Sequence, residues 1–203
     1  MADQDKYSRA ATKEDLKLLL RSLNEHHVDY LLIGGYALFA HGYERATTDI
    51  DILVPATRES GERVIKALMV LPDKVAAEVD PQWFVDAESE EHGTIRVVDE
   101  FLVDVMFNAC GETYDSLKRY AETIDLDGVP LQTVNLEGLL LTKQTVRDKD
   151  VADRMILERA IEIYRTQAPS LAERNVARTE QACAENARPT LKQKRRKPND
   201  LGR

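Results

Sequence analysis

Asp49 and Asp51 stand two apart in "TDIDILVP", a run otherwise built for a buried strand. In a β-strand residues i and i+2 point to the same face, so the two carboxylates are neighbours while Ile50, Ile52 and Val54 face the core. Like charges side by side repel unless a cation lies between them. Mg²⁺, a hard ion that takes carboxylate and phosphate oxygens together, suits that position. A third carboxylate, Asp104, is embedded in the same way in "FLVDVMFN". If the two strands are neighbours, three carboxylates converge on one point. That number holds two metal ions about 3.5–4 Å apart in a phosphoryl-transfer site.

The glycine pair Gly34–Gly35 closes the apolar run "VDYLLIG" and opens "GYALFAHG". A glycine turn from strand to helix lets backbone N–H groups approach phosphate oxygens. The surrounding residues form neither G-x-G-x-x-G nor a Walker loop, so dinucleotide-binding and P-loop readings fall away.

The elements that must position these residues are legible in part. Residues 12–26 read as an opening helix, with Thr12 as N-cap, Asp15 three residues on, and Leu16, Leu19, Leu20 and Leu23 on one face. A strand at 28–34, a short helix at 35–42 and a strand at 48–55 stopped by Pro55 follow, and then an amphipathic helix, "RESGERVIKALMVL". In residues 72–92 "DKVAAEV" is compatible with a helix, "PQWFVDAESEEHG" reads mostly as loop with Trp83 and Phe84 tucked inward, and 94–107 reads as two strands turning at Asp99–Glu100. Asp127–Gly128 is a hairpin signal, and from Leu136 the period is helical through "LEGLLLTKQTVR" and on to "KDVADRMILERAIEIYR". The expected fold class is α/β (α+β), a mixed sheet flanked by helices with a helical C-terminal segment.

Hydrophobic residues make up 43% and charged residues 32%, the balance of an ordinary globular chain. No apolar run approaches the ~20 residues of a membrane span. The first residues lack a secretory apolar core, and Cys110 and Cys183 show no metal or redox spacing, so the expectation is a cytoplasmic protein. The net charge of −8 is uneven: residues 167–203 hold nine Lys/Arg against four Asp/Glu, leaving nineteen against thirty-two in residues 1–166. The basic tail reads either as a nucleic-acid contact or as a solubilising, disordered terminus.

The pattern of a hydrophobic residue, Gly34–Gly35, thirteen residues and then Asp49-Ile50-Asp51 resembles the signature of the DNA polymerase β-type nucleotidyltransferases. "GGYALFAHGYERATTDIDILV" is most similar to minimal bacterial members, including nucleotidyltransferase-like toxins of abortive-infection systems and their antitoxin relatives. "LLLTKQTVRDKDVADRMIL" resembles a helical block of these small proteins, K-x3-R-x-K-D-x2-D. The likeness spans residues ~28–155. It implies that Asp49, Asp51 and Asp104 bind two Mg²⁺ and that Gly34 and Gly35 hold the triphosphate of an NTP donor. Arg45, which with Thr48 fits an R-x-T-x-D-x-D pattern with one extra residue, would steer phosphates. Lys143 and Arg147, four apart on one helical face, would reach the nucleotide, oriented by Asp150 and Asp153. His41, ending a short helix, reads as structural. The implied organisation is a nucleotidyltransferase core at 1–135, helices packing on it at 136–166, and the basic tail at 167–203. The implied reaction moves an NMP to a hydroxyl. The acceptor would be a tRNA 3′ end in the toxin branch, a partner toxin protein in the antitoxin branch, or a small molecule as for antibiotic-modifying relatives. A non-catalytic nucleotide binder is the remaining alternative.

Overall fold

The computed structural model describes residues 8–43, 45–86 and 93–167; the basic tail read from the sequence, with Cys183, lies outside them. Helix α1 (Lys13–Glu25) starts where the sequence asks it to. The Thr12 hydroxyl accepts from the Asp15 amide, and the Asp15 carboxylate accepts from the Thr12 amide, closing a capping box. Leu16, Leu19, Leu20 and Leu23 are fully buried on its inner face. Strand β1 (Leu31–Ile33) leads directly into α2 (Gly34–Ala40), and β2 (Asp49–Leu53) is followed by α3 (Arg58–Leu68), capped by the Thr57 hydroxyl.

The helix open to "DKVAAEV" forms as a short turn, and part of the expected loop after it is helical as well. A 3₁₀ turn (Val75–Glu78) and α4 (Gln82–Asp86) occupy the stretch. Phe84 is buried and meets Phe107 edge-on at 5.1 Å, whereas Trp83 is 49% exposed, contrary to its expected burial. Buried Asp99 organises the stretch: its carboxylate accepts from the amides of Asp73, Val75 and Glu100. Strands β3 (Thr94–Val98) and β4 (Leu102–Met106) form the expected hairpin. A short α5 (Tyr114–Leu117) precedes β5 (Ala121–Leu126) and β6 (Val129–Val134), joined at Asp127 and Gly128, both with positive φ as a tight hairpin turn demands.

The six strands form one mixed sheet in the order β3-β4-β2-β1-β6-β5. β2 runs parallel to β4 and antiparallel to β1, while β1 runs parallel to β6. Cross-strand register then fixes what shares a face. Ile33, Asp51, Asp104 and Arg96 are direct partners across β1, β2, β4 and β3, and form a row on one side. One residue along, Leu32, Ile52 and Val105 form a fully buried row on the other side. α1 packs on α3 and β6, and Ser22 of α1 donates to the Ala67 carbonyl of α3.

The C-terminal helical region departs from expectation at one place. Residues 136–147 are not one helix: α6 (Leu136–Leu141) stops at Thr142, and α7 (Asp148–Gln167) begins five residues after Lys143. Lys143 and Arg147 therefore lie on a connecting loop instead of sharing a helical face. α7 as far as Glu162 belongs to the same compact unit as the sheet; of the second unit, residues 163–203, only Ile163–Gln167 are described, as the last residues of α7. Among the described residues no helix is long and apolar enough to cross a membrane.

Candidate active site

The row across the sheet opens into a cleft of about 790 Å³, whose lining includes Asp49, Asp51, Asp104, Arg96, Lys143 and Arg147. The volume falls in the range of sites that enclose small organic ligands. Asp51 and Asp104 are register partners on adjacent parallel strands, and Asp49 lies two residues before Asp51. One carboxylate oxygen from each of the three falls within 4.8 Å of the others. The parallel pairing of β2 with β4 satisfies the condition that the sequence left open.

Gly34 makes the Asp51 position possible. Its φ is +69°, and a Cβ there would stand 1.9 Å from Asp51 Oδ2, a distance no side chain tolerates. A Cβ on Gly35 would fall 2.5 Å from Thr47 Oγ1 and 2.6 Å from Arg45 Nη1. The glycine pair thus admits the carboxylate and the connector of residues 45–47 against the backbone of α2. Among the described residues no donor hydrogen-bonds the Asp51 carboxylate, and Asp49 has only distant contacts, 3.4 Å to Thr47 Oγ1 and 3.5 Å to Thr48 Oγ1. Burial, then the charges of Asp49 and Asp104, push the Asp51 carboxyl up to about 7, against the opposing pull of Lys143 and Lys149.

Asp104 has a partner that the sequence reading missed. Arg96 forks it, with Nε 2.9 Å from Oδ1 and Nη2 2.8 Å from Oδ2. The signal for this pair was the hairpin register. A two-residue turn at Asp99–Glu100 would set Arg96 opposite Val103 and send it to the other face. The observed pairing sets Val98 opposite Leu102, so three residues make the turn and Arg96 faces Asp104.

The opposite wall is built on ion pairs. Buried Lys143 lies 3.3 Å from Asp150 and 3.1 Å from Asp153, both buried themselves. Burial alone would raise the Asp150 carboxyl; the Thr145 hydroxyl and the Lys143 ammonium outweigh it, and the net shift is downward. Arg45 does not line the cleft. Its Nε reaches Asp153 Oδ1 at 2.9 Å, behind Lys143. Arg147 and Lys149 line the cleft, exposed and without an ion pair among the described residues; Lys149 is the second lysine of the K-x3-R-x-K-D-x2-D block, which the sequence reading gave no role. His41 Nε2 lies 2.9 Å from the Val134 carbonyl oxygen, consistent with a structural role.

The donor set fits hard divalent cations. Three carboxylates offer oxygens only, and one of them, Asp51, accepts no hydrogen bond among the described residues. No model of a known protein family matches the chain, and no match to a curated protein is found.

Proposed function

We propose that the chain is a nucleotidyltransferase that moves an NMP from an NTP to a hydroxyl acceptor and releases pyrophosphate. The observation that carries this reading is the convergence of Asp49, Asp51 and Asp104 on one side of a nucleotide-sized cleft. Asp49 and Asp51 would hold two Mg²⁺, and Asp104 would share in holding one of them. When bound, the ions would neutralise phosphate charge and acidify the acceptor hydroxyl.

The chain's own residues then divide the work. Arg147 and Lys149 offer unpaired positive charge to the triphosphate, and Lys143, fixed by Asp150 and Asp153, offers it at the cleft wall. Ile33, Met106 and Ala109 give apolar surface on which a base or ribose packs. The acceptor oxygen bonds to the α-phosphorus as the α–β bridging bond breaks. Pyrophosphate takes the bonding electrons, and the hydroxyl proton passes to solvent or to a cleft carboxylate. Positioning and charge neutralisation supply most of the rate. A cytoplasmic location belongs to the same reading, since NTP and Mg²⁺ are both at hand there. The acceptor is a tRNA 3′ end, a partner toxin or antitoxin protein, or a small molecule.

Incubation with each α-labelled NTP and Mg²⁺, together with total tRNA, a candidate partner protein or neither, names both donor and acceptor by where label appears. Asp49→Ala and Asp51→Ala are expected to drop transfer below detection while circular dichroism stays native. Wild-type transfer by either variant would sink the proposal. A second reading, a nucleotide binder without catalysis, is favoured by the Arg96 fork on Asp104. Calorimetric NTP binding without label transfer to any acceptor would select it.

A further inference from the structure

We infer that Arg96 is a built-in counter-ion for Asp104 that a divalent cation must displace, so that Arg96 sets the metal affinity of the cleft. The inference rests on the metal-dependent reading above and concerns how this chain regulates that site. Three carboxylates within 4.8 Å of one another carry a charge of −3 in their ionised state, and a cation nearby relieves their repulsion. Arg96 supplies that cation from inside the protein. It lies on β3, at the end of the strand order, in register with Asp104, and both oxygens of Asp104 accept from it.

The two partners differ in how firmly they are held. Asp104 is 8% exposed and fixed in the interior of the sheet, whereas the Arg96 side chain is 49% exposed. A half-exposed guanidinium moves off its partner into water more readily than a buried carboxylate does. The buried Asp104 carboxylate, on an interior strand, has less room to move. When a divalent cation arrives, then, Arg96 is the group that yields.

A competing role exists and makes the opposite prediction. Each carboxylate oxygen has two lone-pair sites, so a fork could aim Asp104 at a metal without blocking it. Under that role removal of Arg96 weakens metal binding. Under displacement, removal of a positive charge in contact with a metal ligand strengthens it, by roughly tenfold for charges this close.

The test uses the full chain without nucleotide and Mn²⁺ as the probe, titrated by calorimetry at fixed ionic strength. Arg96→Gln is expected to bind Mn²⁺ about tenfold tighter than wild type. Arg96→Lys, which keeps the charge and loses the fork, should fall between them, and Asp104→Asn should bind more weakly than wild type. Circular dichroism and thermal melts check that each variant is folded. Since Arg96→Lys keeps a cation on the strand, it carries the comparison if Arg96→Gln does not fold. Unchanged or weaker Mn²⁺ binding by both Arg96 variants, with wild type binding normally, overturns the inference and leaves the nucleotidyl-transfer reading intact. No Mn²⁺ binding by any of these proteins overturns the inference, and the labelled-NTP assay then decides the nucleotidyl-transfer reading by itself.

Discussion

Beside Gly34 and between two other carboxylates, Asp51 is kept where its charged form is expensive. Its carboxyl is pushed up to about 7 from an ordinary 3.8 by burial first and by Asp49 and Asp104 after it. The sign follows from linkage. Between those two values the folded state holds a proton that the unfolded state has released. Stability without metal therefore falls as pH rises through that window, and the full penalty is present above about 7. Asp51→Asn removes the group that titrates. At pH 8 the metal-free variant is expected to be about 2 kcal/mol more stable than wild type in urea denaturation, with the gap narrowing at pH 6. A gap that stays constant from pH 6 to pH 8 would refute the argument. Asp49, Asp51 and Asp104 were readable because an aspartate in an apolar strand breaks a local rule. Arg96 breaks none: it is a charged residue alternating on an edge strand, and its meaning depends on a turn one residue longer than the sequence suggests.

Loop 142–147 and α7 are joined by buried charge and by backbone contacts. Arg154 of α7 donates to the carbonyls of Lys143 and Thr145, at 2.6 and 2.5 Å, and Asp153 receives Arg45 from one side and Lys143 from the other. Asp153 is 1% exposed, so its removal takes this ion pair from Arg45 and leaves buried Lys143 with Asp150 alone. Asp153→Ala is expected to cost about 3 kcal/mol, the scale of breaking a buried pair. An exposed pair such as Arg58–Glu62 is worth under about 1 kcal/mol, and Glu62→Ala is the matched control. Equal midpoints for the two variants in chemical denaturation would show that Asp153 bears no such load. This network is also why the helix boundary was illegible. Residues 136–147 hold no proline, and their single glycine, Gly138, lies inside α6, so the helical period runs on in sequence past Thr142. Just past its end Lys143 is paired with Asp150 and Asp153, which lie in the next element and far from the local pattern. The strands were legible one by one from their apolar runs, but the β2–β4 pairing is a long-range fact that no local pattern encodes.

Charge divides the whole chain between its acidic first 166 residues and its basic remainder. A body with thirty-two acidic and nineteen basic groups repels a polyanion at long range, and the cations of the cleft line a space of only about 790 Å³. An RNA acceptor therefore needs positive charge from elsewhere in the chain. Residues 186–203 carry seven Lys/Arg and one Asp, enough to supply it. Each phosphate neutralised on a single strand contributes about −0.7 to the slope of log affinity against log salt. If four of the seven basic groups touch phosphate, deletion of residues 186–203 flattens that slope by about 3 and weakens binding most at low salt. Filter binding of total tRNA across 50–300 mM salt, on the full chain and the deletion, reads this directly. An unchanged slope would remove the tail from RNA recognition. With the acidic body left as the only surface, the acceptor would then have to be a protein or a small molecule whose hydroxyl enters the cleft without a phosphate backbone behind it.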